Sequence, residues 1–171
     1  MKHLSLLLAA SVFMLLLQGC AGREVKQYTI EQFMNTEAIG GASFSHDEKL
    51  ILYSSKKTGI YNAFTIPVEG GTPTQLTDSK DNSIFVISFL PNDNRILYRS
   101  DKGGNEIYHI YLRNEDGSVK DLTPDEKSRA QFYEWMYDKK GFFFGWNKRD
   151  PKFMDVYEMD LATLTPQMVY R

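Results

Sequence analysis

Histidine and cysteine, two residue types often used for acid–base, nucleophilic and metal chemistry, are scarce in this chain. The sequence holds three histidines, His3, His46 and His109, and one cysteine, Cys20. His46 lies in a predicted hairpin turn and His109 on a predicted strand, where a solvated or sheet-surface side chain is the ordinary interpretation. A single cysteine excludes a disulfide scaffold and a cysteine-based zinc cluster. We therefore expect no metal site and no cofactor.

The serines do not lie in the pattern that a serine nucleophile needs. A nucleophile elbow requires Gly-x-Ser-x-Gly, which places the serine on a sharp turn with its hydroxyl exposed. Ser43 follows Gly41-Ala42, but Ser45 occupies the position of the second glycine. Ser118 lacks both glycines. The sequence therefore predicts no catalytic residue within this chain.

Aspartates recur at predicted hairpin turns, and carboxylates are the ligands that Ca²⁺ prefers. The residues concerned are Asp47, Asp93, Asp116 and Asp138. No twelve-residue loop with calcium-binding spacing is present, and aspartate in a turn commonly bonds to its own backbone. We expect these aspartates to shape turns.

The composition favours a β-rich globular protein. The 171 residues are 42% hydrophobic and 25% charged, with 20 basic against 22 acidic groups. A net charge of -2 does not supply the concentrated basic surface that nucleic-acid binding requires. Aromatic residues make up 13% of the chain and pack well on pleated sheets. We expect an all-β fold and no nucleic-acid partner.

The first residues have the pattern of an export signal. A basic start at Lys2 precedes an apolar run from Leu4 to Leu17 and then Gly19-Cys20. The apolar run is shorter than the roughly 20 residues of a spanning helix. We predict a lipoprotein signal peptide over residues 1–19.

Leu17-Gln18-Gly19-Cys20 resembles the lipobox of bacterial lipoproteins. This resemblance implies lipidation of Cys20, and two or more acyl chains would hold the protein on a membrane. Residues 20–27 then form a polar tether. Ala21, by resemblance to enterobacterial lipoproteins, favours the outer membrane, so we expect a lipid-anchored, periplasm-facing protein of the bacterial cell envelope.

An internal repeat of about 45 residues occupies the rest of the chain. Phe44, Phe89 and Trp135 are 45 and 46 positions apart, as are Tyr53, Tyr98 and Phe144. Each unit has a polar turn, a β-rich run, a polar loop, a second run and a final Leu-Thr-like segment. The second runs are predicted at Ala63–Ile66, Ile107–Ile110 and Val156–Met159, which aligns Phe64 with Tyr108 and Tyr157.

Four short strands joined by hairpin turns are the content of one β-propeller blade. We place blades at about 41–78, 85–124 and 131–170, which gives a partial β-propeller over residues 41–171. Residues 28–40 form a lead-in segment. Within it, Thr29 and Gln32 have the spacing of a capping box and predict one helical turn.

Three blades cannot close a ring, because propellers use about four to eight. We therefore expect the chain to be the front part of a longer protein, or one of several chains that complete a ring. We also expect self-association or weak cooperativity, because blade surface is left unpaired.

The repeat units resemble the propeller repeats of the prolyl oligopeptidase family of serine peptidases, of the acylaminoacyl-peptidase and dipeptidyl aminopeptidase types. The resemblance rests on residues 28–33, Phe44–Lys49 with Ile51–Ser55, and the later segments Gly59–Asn62, Ile66–Gly71 and Gln75–Thr77. TolB-like propellers share the Gly-Gly and Leu-Thr signatures. In the peptidase family, an α/β-hydrolase domain after the propeller carries the triad.

A cluster of aromatic residues at 132–135 and 142–146 could form a stacking platform for sugar rings or peptide side chains. Packing between blades explains the cluster better, because Trp135 and Phe144 recur in the repeat. Trp146 is the best candidate for an exposed member and for a ligand contact.

The resemblance implies the N-terminal propeller portion of a lipid-anchored serine peptidase acting on oligopeptides, in which the propeller gates and orients the substrate. Its expected partners are a C-terminal α/β-hydrolase domain or further blades outside this chain, a peptide substrate, and the membrane through Cys20. Alternatives are a non-enzymatic TolB-like propeller that binds proteins at the envelope, and a carbohydrate-binding lipoprotein using the Trp135 and Trp146 region.

Overall fold

The computed structural model describes residues 25–171. The chain divides into two units, one ending at Thr36 and one spanning Glu37–Arg171. Among the described residues, no helix is long and apolar enough to cross a membrane. Cys20 and the predicted signal peptide lie outside the described residues.

The described part of the first unit contains one short helix, α1 (Ile30–Met34). The Thr29 Oγ1 accepts the backbone N–H of Gln32 at 3.2 Å, and the Gln32 side chain accepts the N–H of Thr29 at 3.1 Å. These two bonds satisfy donors that the first turn leaves unpaired. The predicted capping box and helical turn are confirmed.

The second unit consists of three four-stranded antiparallel sheets, in each of which the strand order follows the chain. The predicted all-β class is confirmed. The strands of the first sheet are β1 (Ile39–Phe44), β2 (Leu50–Ser55), β3 (Asn62–Pro67) and β4 (Thr74–Gln75). The second sheet has β5 (Ile84–Phe89), β6 (Ile96–Ser100), β7 (His109–Arg113) and β8 (Val119–Asp121). The third has β9 (Ala130–Trp135), β10 (Gly141–Trp146), β11 (Asp155–Asp160) and β12 (Thr165–Tyr170).

An aspartate closes the first hairpin turn of every sheet. Asp47, Asp93 and Asp138 each accept the backbone N–H two residues further on, at 3.3, 2.9 and 3.0 Å. The Ser45 hydroxyl donates to Asp47, and this bond, with those from Lys49, lowers the pKa of that carboxyl to about 2. The predicted turn-shaping role of these aspartates is confirmed.

An aromatic pair occupies the same place in all three sheets and fixes the register of the repeat. Tyr53 lies opposite Phe64, with ring centroids 5.9 Å apart. Tyr98 lies opposite Tyr111 at 5.2 Å, and burial raises the pKa of Tyr98 to about 12. In the third sheet, Phe144 and Tyr157 are the equivalent pair at 5.5 Å.

The predicted alignment of Tyr108 with Phe64 is wrong. Strand β7 begins at His109, and Tyr111 is the residue that pairs with Tyr98. The loop between β6 and β7 is longer than the loop between β2 and β3, so the repeat spacing shifts at this point.

The sheets pack face to face with an apolar core in each interface. Between the first and second sheets, Leu52 and Ala63 pack with buried residues such as Val86 and Ile96. Between the second and third, the core contains Leu97, Leu112, Phe142, Phe144 and Met159. The prediction that the aromatic cluster packs between blades is confirmed.

Threonine hydroxyls tie the fourth strand segment to the third in two sheets. The Thr77 Oγ1 accepts the N–H of Ala63 at 2.8 Å, and the Thr123 Oγ1 accepts the N–H of Ile110 at 3.0 Å. Ala63, Ile110 and Thr123 are fully buried, so water cannot satisfy these amides. The Leu-Thr signature of the repeat therefore has a structural role.

The aromatic residue that ends each first strand is buried only where a neighbouring sheet packs against it. Phe89 is 3% exposed in the core against the first sheet, and Trp135 packs against the core of the second. Phe44 is 60% exposed, and no sheet precedes β1 within residues 25–171. The outer face of the first sheet, which includes Phe44, is therefore not covered by another sheet within residues 25–171.

Candidate functional site

A cavity of about 460 Å³ lies where the first strands of the three sheets approach one another. Gly40 and Gly41 of β1, Val86 of β5, and Gln131 and Phe132 of β9 contribute to its wall. Its volume is within the usual range of ligand-binding clefts. All three sheets therefore contribute residues to this cavity.

Glycine at position 41 is required by the packing at this wall. Gly41 has a φ of 65°, in the left-handed region, and a Cβ there would meet the Val86 carbonyl oxygen at 3.0 Å. Nearby, the Ser54 hydroxyl accepts the N–H of Val86 at 2.8 Å. These contacts fix β5 against the first sheet and define one side of the cavity.

Arg99, Tyr61 and Phe85 of the cavity wall form an aromatic cluster with Tyr108, which lies beside the cavity. The rings of Tyr61 and Phe85 are 5.1 Å apart, and those of Phe85 and Tyr108 are 6.2 Å apart. The Arg99 guanidinium lies 5.5 Å from the Phe85 ring centre and 5.0 Å from that of Tyr108. Arg99 is opposite Phe85 in the β5–β6 pairing, so the sheet itself places the guanidinium.

The two tyrosines are held by equivalent backbone bonds. The Tyr61 carbonyl accepts the N–H of Ile84 at 2.9 Å, and the Tyr108 carbonyl accepts the N–H of Ala130 at 2.8 Å. Each bond joins the loop before a third strand to the first strand of the next sheet. The aromatic residues are therefore anchored between neighbouring sheets.

The cavity is lined by one cation and no acidic residue. Arg99 takes part in none of the ion pairs among residues 25–171. By contrast, Arg95 pairs with Asp93 at 2.8 Å and Arg149 with Asp155 at 2.7 Å. The cavity thus presents an unpaired positive charge beside aromatic surface.

The prediction that Trp146 is exposed is wrong. Trp146 is 2% exposed and lies in the core between the second and third sheets. Its indole N–H donates to the Ser128 hydroxyl at 2.8 Å, and the Lys148 ammonium lies 4.4 Å from its ring centre. Trp146 faces the second sheet on β10, which makes it a packing residue and removes it as a contact for a ligand.

His109 is buried, in contrast to the expected solvated or sheet-surface position. It is 6% exposed, and its Nδ1 lies 2.7 Å from Asp121 Oδ2. Asn62 and Asp155, which also begin third strands, are likewise buried. Asn62 accepts a hydrogen bond from Thr77 after the fourth strand, and Asp155 accepts one from Arg149 in the loop before β11. His109 thus belongs to a series of buried polar residues at the start of each third strand.

The remaining polar candidates have structural contacts. Ser43 Oγ lies 3.1 Å from Ser88 Oγ and accepts the N–H of Phe89, which joins β1 to β5. The Ser118 hydroxyl donates to Asp116 within a hairpin turn. In the part of the chain that the structure describes, no three His, Cys, Asp or Glu residues are grouped to hold a metal ion.

The sequence did not indicate Arg99, Phe85 or Tyr108 as residues of a binding site. A signal was present, because Tyr61 and Tyr108 are 47 residues apart and each precedes a third strand. The contact with Arg99 could not be deduced, since it depends on the register between β5 and β6.

Consecutive four-stranded sheets, packed face to face with their first strands around a common cavity, define this chain as part of a β-propeller. No protein-family model matches the chain. In sequence it is 29% identical over 122 residues to dipeptidyl aminopeptidase BIII of Pseudoxanthomonas mexicana. That alignment covers 70% of the chain but only 18% of the relative.

Solved structures show the same fold. TolB from Acinetobacter baumannii superimposes with a TM-score of 0.59 at 21% identity, over 77% of this chain and 32% of that one. A prolyl endopeptidase gives a TM-score of 0.59 at 11% identity, over 77% of this chain and 21% of that one. The resemblance to the propellers of prolyl oligopeptidase-family peptidases and of TolB, predicted from the repeat units, is confirmed.

Proposed function

We propose that this chain is the N-terminal propeller portion of a secreted, lipid-anchored serine peptidase that acts on oligopeptides. Its role there is to restrict entry and to orient the peptide toward a catalytic α/β-hydrolase domain outside the chain. The observation that carries the proposal is the sequence match to dipeptidyl aminopeptidase BIII, which extends over 70% of the chain.

The geometry of the cavity supports a role in substrate contact. Its aromatic surface suits peptide side chains, and its one unpaired cation can bind a polar group of the peptide. All three sheets contribute to the cavity, as expected of a surface beside the central channel of a propeller.

The peptidase assignment is tested on the protein encoded by the complete natural reading frame. We expect a fluorophosphonate reagent to label it at a serine, and we expect hydrolysis of chromogenic peptide substrates. Dipeptidyl nitroanilides and acylaminoacyl nitroanilides, compared side by side, separate the two peptidase types. A protein that is neither labelled nor active on either substrate contradicts the assignment and favours the TolB-like alternative.

Lipid anchoring is tested separately in cells. We expect wild-type protein to incorporate labelled palmitate and to sediment with the outer membrane. Cys20→Ser removes the thiol that carries the lipid, so labelling is lost and the protein becomes extractable without detergent. Ser11→Ala, within the same leader, is the matched control and keeps the label. Wild-type protein without label contradicts the anchor.

A further inference from the structure

We propose that Arg99 and its aromatic neighbours bind the carboxylate group of an oligopeptide, which makes this cavity a carboxylate-recognition site. The inference rests on the proposed peptidase function for the choice of peptide as ligand. The site consists of Arg99, Phe85, Tyr61 and Gln131, which line the cavity, and of Tyr108, which packs beside Arg99.

The guanidinium is pre-arranged by its neighbours. Phe85 and Tyr108 each lie within 5.5 Å of it, and both rings are anchored by the strand pairing or by a backbone bond to the next sheet. A guanidinium stacked on aromatic rings keeps the N–H donors at its edges available for a bidentate acceptor. Less side-chain freedom is then lost when a ligand binds.

The donors of the site lack partners on the protein. Within residues 25–171, the Arg99 guanidinium donates no hydrogen bond and forms no ion pair. Every other residue lining the cavity is neutral, and none is a carboxylate that would compete for the cation. Tyr61, in the loop before β3, and Gln131, on β9, add neutral hydrogen-bonding groups to the wall.

The surroundings favour an organic carboxylate over a free inorganic anion. Phe85, Phe132, Val86 and Ile87 give the wall a largely apolar character beside the cation. An inorganic anion would bind the guanidinium but leave the apolar wall in contact with water. A peptide that ends in an apolar residue can bind the guanidinium and also cover the apolar wall, because its terminal carboxylate and its last side chain are attached to the same carbon atom.

The test is calorimetric titration of the full chain with Ala-Ala-Phe and with its C-terminal amide. The two peptides differ only in the charged group, so we expect the acid to bind at least about tenfold more tightly, as a charge-assisted bidentate pair requires. Arg99→Gln should weaken binding of the acid by at least about tenfold and remove the preference over the amide.

A matched control lies on the same sheet. Arg113 is at the other end of the β6–β7 pairing, opposite Ile96, and does not line the cavity. Arg113→Gln loses one positive charge but should bind Ala-Ala-Phe as the wild type does. Should Arg99→Gln fail to fold, Arg99→Lys keeps the charge without the planar fork and should retain the preference for the acid at reduced affinity.

Three results would overturn the proposal. Equal affinities for the acid and the amide would show that the site does not recognise the carboxylate. Unchanged binding of the acid by Arg99→Gln would show that Arg99 does not bind it. Digalacturonate is a sugar that carries carboxylates, so Arg99-dependent binding of digalacturonate without binding of the peptide would assign the site to an acidic sugar. Fluorophosphonate labelling of the whole protein is independent of these measurements. Labelling without a preference for the acid refutes only the carboxylate site. A preference for the acid without labelling refutes only the peptidase assignment.

Discussion

The buried threonine at the end of the second sheet offers a sharp test of how the repeat is held together. Thr123→Val replaces the hydroxyl by a methyl group of similar size, so no cavity forms. The change removes the acceptor of the Ile110 N–H, a bond of 3.0 Å between two fully buried residues. The substitution therefore isolates one hydrogen bond between β7 and the segment that follows β8.

The magnitude follows from leaving a buried amide unsatisfied, which costs about 1–3 kcal/mol. With a urea m-value of about 2 kcal/mol/M for a protein of this size, the unfolding midpoint should fall by about 0.5–1.5 M. Fluorescence of the buried Trp146 reports the transition, because its indole ring becomes hydrated on unfolding.

Thr72→Val is the matched control, since Thr72 is exposed and lies in the loop before β4. We expect its midpoint to stay within the small range typical of surface changes, about 0.5 kcal/mol in free energy of unfolding. If Thr123→Val shifts the midpoint no more than Thr72→Val, the hydroxyl does not hold the third strand and the structural account of the Leu-Thr signature is refuted.

Three further substitutions and one control test packing and ionisation by the same urea titration. Gly141→Ala places a Cβ against a backbone carbonyl and should lower the free energy of unfolding by about 1–3 kcal/mol. Gly40→Ala, the control, meets open space and should change it little. Equal effects of the two substitutions would contradict the close packing at Gly141. The hydrogen bond from Arg149 lowers the pKa of Asp155, so the pair stabilises the fold fully above the ordinary pKa of 3.8 and this contribution is lost as the pH falls below it. The difference in stability between wild type and Asp155→Asn should therefore narrow in acid. A constant difference would refute the stabilising role of the pair. Burial raises the pKa of Tyr98 to about 12, so the neutral phenol is favoured by folding and its contribution is lost as pH rises from 10 toward 12; Tyr98→Phe should lose less stability over that window than wild type.

The elements that the sequence predicted well are those that local chemistry determines. The capping box of α1 needs only Thr29 and Gln32, three residues apart. Each aspartate turn is closed by a bond over two residues, and the continuous apolar runs at the start of β2 and β6 indicate these strands. Interactions of such short range leave a readable pattern in the chain.

The predictions that were wrong depended on packing between sheets or on a loop whose length differs between repeats. Trp146 is buried because the second sheet covers the face of β10 on which it lies, and nothing near it in the sequence indicates which sheet that is. Phe44 and Phe89 share a place in the repeat but differ in exposure, 60% against 3%, because only Phe89 has a sheet packed against its side. The longer loop before β7 moved the aromatic partner from Tyr108 to Tyr111.

The amino-acid sequence by itself determined a β-rich chain of three similar four-stranded units, because apolar strand runs and turn residues act over a few residues and recur at a regular spacing. Only the tertiary structure decided that Arg99 meets Phe85 and Tyr108 beside a cavity shared by three sheets. The physical reason is that a site assembled from separate strands depends on register and on sheet-against-sheet packing, and both are set by long-range contacts that leave no short-range periodic trace.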